Sequence, residues 1–462
     1  MYRNALSYLQ SNWLNSPDRK PLVIRGARQV GKTWLVRHFA SLADKKLIEI
    51  NFEKAPGRAS LFEGNDVTQI LLNLSTIMNE SLDPSNCLLF LDEIQEAPEI
   101  FAKLRWFYED LPQLCIIAAG SLLEFILEDH TFSMPVGRIS YLHLEPLSFE
   151  EFLSAGDKTG LLTYIQNYQL TQEIPSDIHQ TLCALFKEYM TIGGMPAAVS
   201  SWMSEKSLQT ISQIHHELLW TYRDDFAKYS TRIDRHKIDE ILNAIPKQLG
   251  QKFVYQKANS SMQSATIRNI LSLLEKARLC HPVLSVGANG LPLAAGIKEK
   301  PFKEIFLDIG LSNALLGAYF RSPEPLEKVV WSYDGGLAEQ IVGQILRTTF
   351  PFYIQPCLYY WHREDPGSNA EIDYLIDDGE KIIPLEVKAG ATGSLKSLHL
   401  FMNLKNLKQA IRIHASAPTI THIQNYTLLS IPFYLTSQIH RLCRDLSNQK
   451  LGVGGISPYL ND

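Results

Sequence analysis

The stretch Gly26-Ala-Arg-Gln-Val-Gly-Lys-Thr33 constrains this chain more than any other, because it fits G-x-x-x-x-G-K-[ST]. An apolar run suited to a buried strand, Leu22-Val-Ile24, precedes it. Trp34, Leu35, Phe39 and Leu42 follow at helical spacing. Strand, glycine-bounded loop and helix are what a phosphate cradle needs. Gly26 and Gly31 admit backbone geometry that a side chain would block, so successive N–H groups can turn toward an anion. The helix opening near Gly31 adds the positive end of its dipole. Lys32 is expected to reach the β- and γ-phosphates and the Thr33 hydroxyl to ligate Mg²⁺. The nucleotide-binding set is then Gly26, Ala27, Arg28, Gln29, Val30, Gly31, Lys32, Thr33 and Trp34, with ATP and Mg²⁺ as cofactors. An ordinary glycine turn ahead of Lys-Thr is the alternative, and both flanks speak against it.

A chain of 462 residues is too long for one typical core, so two to three domains are expected. The formal net charge of -5 gives no global basic field toward nucleic acid, although a local basic groove stays compatible with it. The six cysteines form no C-x-x-C pair and read as buried free thiols in a reducing compartment. The 13 histidines show no zinc spacing and no H-E-x-x-H. The amino terminus lacks the apolar core of a signal peptide, and no apolar run approaches membrane-spanning length. A cytoplasmic protein without a membrane partner is expected.

After the loop and its helix, residues 46–52 read as a second strand and 66–80 as a helix with Asp66 as N-cap. The apolar run 87–91 reads as a buried strand ending in Asp92-Glu93, and it resembles a Walker B element. Asp92 is expected to hold Mg²⁺ through its water shell and Glu93 to polarise the attacking water. A further strand, 114–119, ends at Gly120-Ser121. Ligands gather at the carboxyl ends of parallel strands, so Ser121 is either a γ-phosphate sensor beside Glu93 or the N-cap of a helix over 122–127. Met134-Pro-Val-Gly-Arg138 precedes a fifth strand, 139–144. Arg138 is a candidate cation for the transition-state charge, in its own subunit or toward a neighbouring one, or else a solvated surface arginine. Five strands with intervening helices predict a doubly wound parallel sheet.

Residues 156–186 read as polar and helical. Gly193, Gly194 and Pro196 break the pattern and predict a packed turn or hinge before a helix over about 203–222. From 235 to 283 the pattern shifts to short helices and the start of a β-wing, which resembles a winged-helix domain. Its recognition-helix position, 264–274, offers only Arg268 and Lys276 as nearby cations, with Glu275 against them. That favours an interaction or spacer role over reading DNA.

The last region opens with a strand at 304–307, a helix over 335–346 bearing Glu339, and strands at 353–354 and 358–362. A hairpin follows over 370–376 and 381–388, turned by Asp377-Asp-Gly-Glu380. Period-two alternation puts Glu386 and Lys388 on one face, with Asp373 in cross-strand reach. Two carboxylates and a lysine, with Glu339 as a third carboxylate, can hold Mg²⁺ beside a phosphodiester. The spacing D-x(12)-E-x-K resembles the PD-(D/E)xK nuclease core, whereas the bland reading is a solvated face on an edge hairpin.

Taken together, RGARQVGKT, LLFLDEIQ, AAGS, PVGR, LSFEEF, IGGMP and IPLEVKAG resemble a bacterial and archaeal family of AAA+-type ATPases, over roughly residues 5 to 440. In that family a winged-helix segment and a PD-(D/E)xK-like domain of unknown function follow the P-loop domain. The resemblance implies an α/β chain with a P-loop parallel sheet at 1–155, a helical extension at 156–232, a winged-helix-like segment at 233–295 and a mixed α/β nuclease-like domain at 296–450. It implies Lys32, Thr33, Asp92 and Glu93 in the roles above, Ser121 as sensor and Arg138 facing phosphate. The nuclease-like set falls on Glu339, Asp373, Glu386 and Lys388. Two functional readings follow: an ATPase whose nucleotide state repositions a nuclease-like domain on double-stranded DNA, or a nucleotide-dependent switch that binds a protein partner and cleaves nothing. A small-molecule kinase fits less well, since no substrate lid is evident. An Arg138 acting across subunits would require a homo-oligomer.

Overall fold

The computed structural model describes residues 1–121, 123–128, 135–229, 233–317, 335–365, 369–390 and 394–453; Leu122, Met134 and residues 391–393 lie outside them. The first unit is a five-stranded sheet of β1 (Leu22–Arg25), β2 (Lys46–Asn51), β3 (Cys87–Asp92), β4 (Cys115–Ala119) and β5 (Ser140–His143), in the order β2-β3-β4-β1-β5. Every neighbouring pair is parallel. Alternation sorts the strand residues between two cores. Leu88 and Phe90 pack with Leu35 and Phe39 of the helix Lys32–Leu42 on one side. Leu89 and Leu91 pack with Ile70 and Leu104 on the other. Burying each such side chain is worth about 1.5–3 kcal/mol, so the register of β3 is strongly fixed. That register sets Asp92 level with Asn51 and Ala119 at the carboxyl edge. The Asp66 side chain caps the helix Val67–Met78 by accepting from the N–H groups of Thr68 and Gln69.

A helical unit follows. The helix Ser176–Ile192 ends at Gly193, whose φ of 75° lies in the left-handed region. A Cβ there would fall 2.1 Å from Asp308 Oδ1, and one at Gly194 would fall 2.3 Å from the Leu147 carbonyl. The glycine pair is therefore a packed turn. Two helices, Pro196–Glu205 and Leu208–Tyr229, stand where one was expected from about residue 203, because Lys206 adopts a left-handed conformation between them.

The helices Arg235–Ala244 and Ser264–Lys276 lead into the hairpin of β6 (Cys280–Val286) and β7 (Ile297–Phe306). This hairpin joins the carboxyl-terminal sheet, since β6 pairs in parallel with β8 (Leu358–His362). It spans residue 295, where the sequence suggested a boundary. The other strands are β9 (Glu371–Asp377), β10 (Ile382–Val387), β11 (Gln409–His414), β12 (Thr419–Ile423) and β13 (Tyr426–Pro432), in the order β12-β13-β11-β10-β9-β8-β6-β7. From the helix Gly335–Thr348 the chain runs through the antiparallel strands β8, β9 and β10. It then passes through the helix Lys396–Lys405 into β11, which lies parallel to β10. The hairpin turn forms at Asp377–Glu380, with the Asp378 carboxylate accepting from the N–H groups of Glu380 and Lys381. Residues 353–354 are not a strand. They turn, with Ile354 N–H bonded to the Pro351 carbonyl, and the Phe352 carbonyl accepts from His143 N–H at the end of β5. No helix among the described residues is long and apolar enough to cross a membrane.

Candidate functional site

The phosphate-binding loop leaves β1 at Arg25 and enters its helix at Lys32. Gln29 and Gly31 hold positive φ values of 63° and 94°, left-handed backbone of the kind that anion-binding loops use. Gly26 has no room for a side chain, because a Cβ would stand 2.5 Å from the Leu144 carbonyl beyond β5. Lys32 Nζ donates to the carbonyls of Gly26 and Ala27 at 2.9 and 2.8 Å. Burial lowers the Lys32 ammonium to about 8, against the opposing pull of Glu93 and Asp92.

Across from the loop, β3 delivers the acids. Thr33 Oγ1 lies 3.2 Å from Asp92 Oδ2, which also accepts from Asn51 Nδ2 at 3.0 Å. Burial and the neighbouring Glu93 raise the Asp92 carboxyl. Glu93 adopts φ 51°, ψ 46°, a left-handed turn that swings its carboxylate off the strand line. Its Oε2 accepts from Gln95 Nε2 at 2.6 Å and faces Ser121 Oγ at 3.4 Å. Lys32, Thr33, Asp92, Glu93 and Ser121 thus come together at one sheet edge. Trp34, on the helix, stacks on His38 with ring centroids 4.7 Å apart.

Four residues that sequence reasoning missed complete this surrounding. Asn51 and Gln95 orient the two acids; Gln95 lies inside the DEIQ run, but its amide contact follows from the Glu93 turn. Arg3 donates to the Val30 carbonyl at 2.8 Å and to the Glu145 carbonyl at 2.7 Å, so the amino-terminal segment grips the loop. Arg278, in a left-handed conformation between the helix Ser264–Lys276 and β6, donates to Glu124 at 2.7 Å and to His143 Nδ1 at 3.2 Å. Burial and Arg278 hold the His143 imidazole down at about 4, so it is a neutral acceptor. Arg28 of the loop is bound by both Asp225 oxygens at 2.5 and 2.6 Å, and its carbonyl accepts from Tyr222 at 3.0 Å. The loop is thus in direct polar contact with the helical unit, and Arg278, just before β6, with Glu124 and with His143 of β5.

Arg138 is not brought to this cluster. It precedes β5 at the amino edge of the sheet, is 42% exposed, and pairs with Glu109 at 2.9 Å.

The second candidate set does converge. Val387 N–H donates to Asp373 Oδ2 at 2.7 Å, and Lys388 Nζ donates to Glu386 Oε1 at 2.6 Å. The hairpin is interior to its sheet and Glu386 is buried, so the solvated edge face is excluded. Burial and the neighbouring Asp373 raise Glu339 to about 8 and Glu386 to about 7. The residue missed here is Lys303 of β7, whose ammonium binds Glu339 at 2.8 Å, contacts Glu371 and lies 4.0 Å from Asp373.

A parallel five-stranded sheet with a glycine loop between β1 and the helix Lys32–Leu42 is the architecture of a P-loop nucleotide-binding domain. Residues 18–153 match an AAA domain, and residues 334–434 match a domain of unknown function (DUF4143). Between them, residues 183–321 match another domain of unknown function (DUF8612). No curated protein matches the chain. Among solved structures it is similar to AMPPCP-bound DnaA from Aquifex aeolicus, at 12% identity and a TM-score of 0.26, over 59% of this chain and 87% of that one.

Proposed function

We propose that this chain binds and hydrolyses Mg²⁺·ATP at the edge of its five-stranded sheet and transmits the nucleotide state to its carboxyl-terminal domain. The observation that carries the hydrolytic half is the Thr33–Asp92 contact at 3.2 Å beside a Glu93 held by Gln95. The donor set fits the cofactor: a hydroxyl and a carboxylate from facing elements, a buried lysine, and a loop with no space for a Cβ at Gly26 and a left-handed backbone at Gly31. Thr33 and Asp92 would hold Mg²⁺, which would supply charge neutralisation at the phosphates. Gly26 to Thr33 cradle the phosphates, and Lys32 exchanges its two carbonyl bonds for phosphate oxygens. Glu93 orients a water and accepts its proton at a carboxylate oxygen, while Ser121 senses the terminal phosphate beside it. Arg138 acts, on this reading, across a subunit boundary if the chain assembles with itself.

The coupling half rests on Arg28, whose bonds to Asp225 and Tyr222 tie the phosphate loop to the helix Leu208–Tyr229. A loop that tightens on phosphate pulls on that helix. The helix–β8–β9–β10–helix–β11 order supports the nuclease-like reading of the last domain's fold. The target is either double-stranded DNA or a protein partner. Hydrolysis assayed with and without DNA distinguishes them: stimulation supports a DNA-directed ATPase, and indifference supports a switch acting on protein. Lys32→Ala should abolish ATP binding, and retained affinity in that variant would sink the nucleotide assignment.

A further inference from the structure

We propose that the carboxylate cluster of the eight-stranded sheet is a cation site that supplies its own cation. The Lys303 ammonium stands where these acids would otherwise hold a divalent metal, so the site takes up neither Mg²⁺ nor Mn²⁺ and hydrolyses no phosphodiester. The cluster's chemistry is independent of the ATPase reading and is set by which acidic oxygens are engaged. Lys303 reaches in from β7, with a side chain only 3% exposed, to Glu339 at 2.8 Å and into contact with Glu371, while Asp373 lies 4.0 Å away. The Tyr360 ring lies 5.2 Å from the ammonium. A buried ammonium requires such partners, and its carboxylates come from one helix and one strand, Glu339 on Gly335–Thr348 and Glu371 and Asp373 on β9.

Asp373 and Glu386 are each engaged through one oxygen. Asp373 Oδ2 accepts from Val387 N–H, and Glu386 Oε1 accepts from Lys388. Glu386 Oε2 is buried without a hydrogen-bond partner and Asp373 Oδ1 meets only the Lys303 ammonium, at 4.0 Å, so a divalent ion seated on these two oxygens would lie against a fixed positive charge. Among the described residues, no group of three His, Cys, Asp or Glu side chains is arranged to hold a metal. Mg²⁺ sits about 2.0–2.1 Å from its oxygens. At Glu339 it would share a carboxylate already bound by a fixed positive charge, and it would be repelled by it. The donor set therefore does not fit the metal that the Asp373, Glu386, Lys388 spacing suggests.

The test is Mn²⁺ binding to the nucleotide-free, full-length chain, read as free Mn²⁺ by electron paramagnetic resonance. Wild type, Asp373→Asn and Glu386→Gln should bind the same amount of Mn²⁺. Lys303→Met should gain one site per chain, and adding Asp373→Asn to it should remove that site. A wild-type site lost in Asp373→Asn overturns the proposal. So does a Lys303→Met protein of native circular dichroism that gains nothing. Should Lys303→Met not fold, the comparison of wild type with Asp373→Asn and Glu386→Gln decides alone.

Discussion

Arg347 donates through Nε and Nη2 to the two carboxylate oxygens of Glu145, at 3.0 and 2.7 Å, and both side chains are largely buried. The pair joins the chain just beyond β5 to the last turn of the helix that carries Glu339. Burial raises the Glu145 carboxyl, but Arg347 outweighs it and holds the group at about 2. Because Arg3 bridges the Glu145 and Val30 carbonyls, three residues connect the phosphate loop to the carboxyl-terminal domain.

Arg347→Met should leave the Glu145 charge buried and uncompensated, at a cost of about 3–5 kcal/mol in urea unfolding. A loss under about 1 kcal/mol would mean that the pair is solvated and does not bind the two units together.

Gly26→Ala should be poorly tolerated, since the new Cβ meets the Leu144 carbonyl at 2.5 Å. The loop must shift, so ATP affinity should fall at least tenfold in a titration with a fluorescent nucleotide. Unchanged affinity would contradict the observed packing of loop on strand exit.

Gln95→Ala removes the amide that orients Glu93. Turnover should drop roughly tenfold or more while ATP affinity stays near wild type, because under the proposed mechanism the lost contact serves the water-activating carboxylate and not the phosphates. Equal loss in both constants would assign Gln95 to nucleotide binding instead.

Glu339 and Glu386 give a pH dependence of definite sign. Their folded values, about 8 and about 7, lie above the ordinary 4.5. The native state therefore retains protons that the unfolded chain releases. The resulting stability is full below 4.5 and is lost as pH rises through 7 and 8. Melting temperature should fall over that window, and less steeply in Glu339→Gln. A parallel decline in both proteins would remove Glu339 as a cause.

The first site was largely legible because its chemistry is local. Gly26 to Thr33 sit on one loop, and Asp92-Glu93 end a run whose burial alternates cleanly between two cores. Asn51, Gln95, Arg3 and Arg278 were not legible, since each arrives from a separate element through the sheet order. Arg138 shows the limit from the other side. A residue just before a strand lies at the opposite sheet edge from residues just after one, so its own-subunit distance to the site depends on strand direction. In the last domain the period-two reading brought Glu386 and Lys388 to Asp373. It could not reveal Lys303, whose strand precedes the motif by some 70 residues and enters the sheet through β6. The solvated-edge alternative failed for the same reason: β12, β13 and β11 add on one side of the hairpin, and β8, β6 and β7 on the other.

The most direct measurement is Mg²⁺-dependent ATP hydrolysis by wild type and Glu93→Gln, with nucleotide binding followed in the same samples. Wild type should release phosphate, and Glu93→Gln should bind ATP with near-native affinity while turnover falls by about 10²-fold or more. Turnover in Glu93→Gln equal to wild type would contradict the assignment of Glu93 as the residue that activates water.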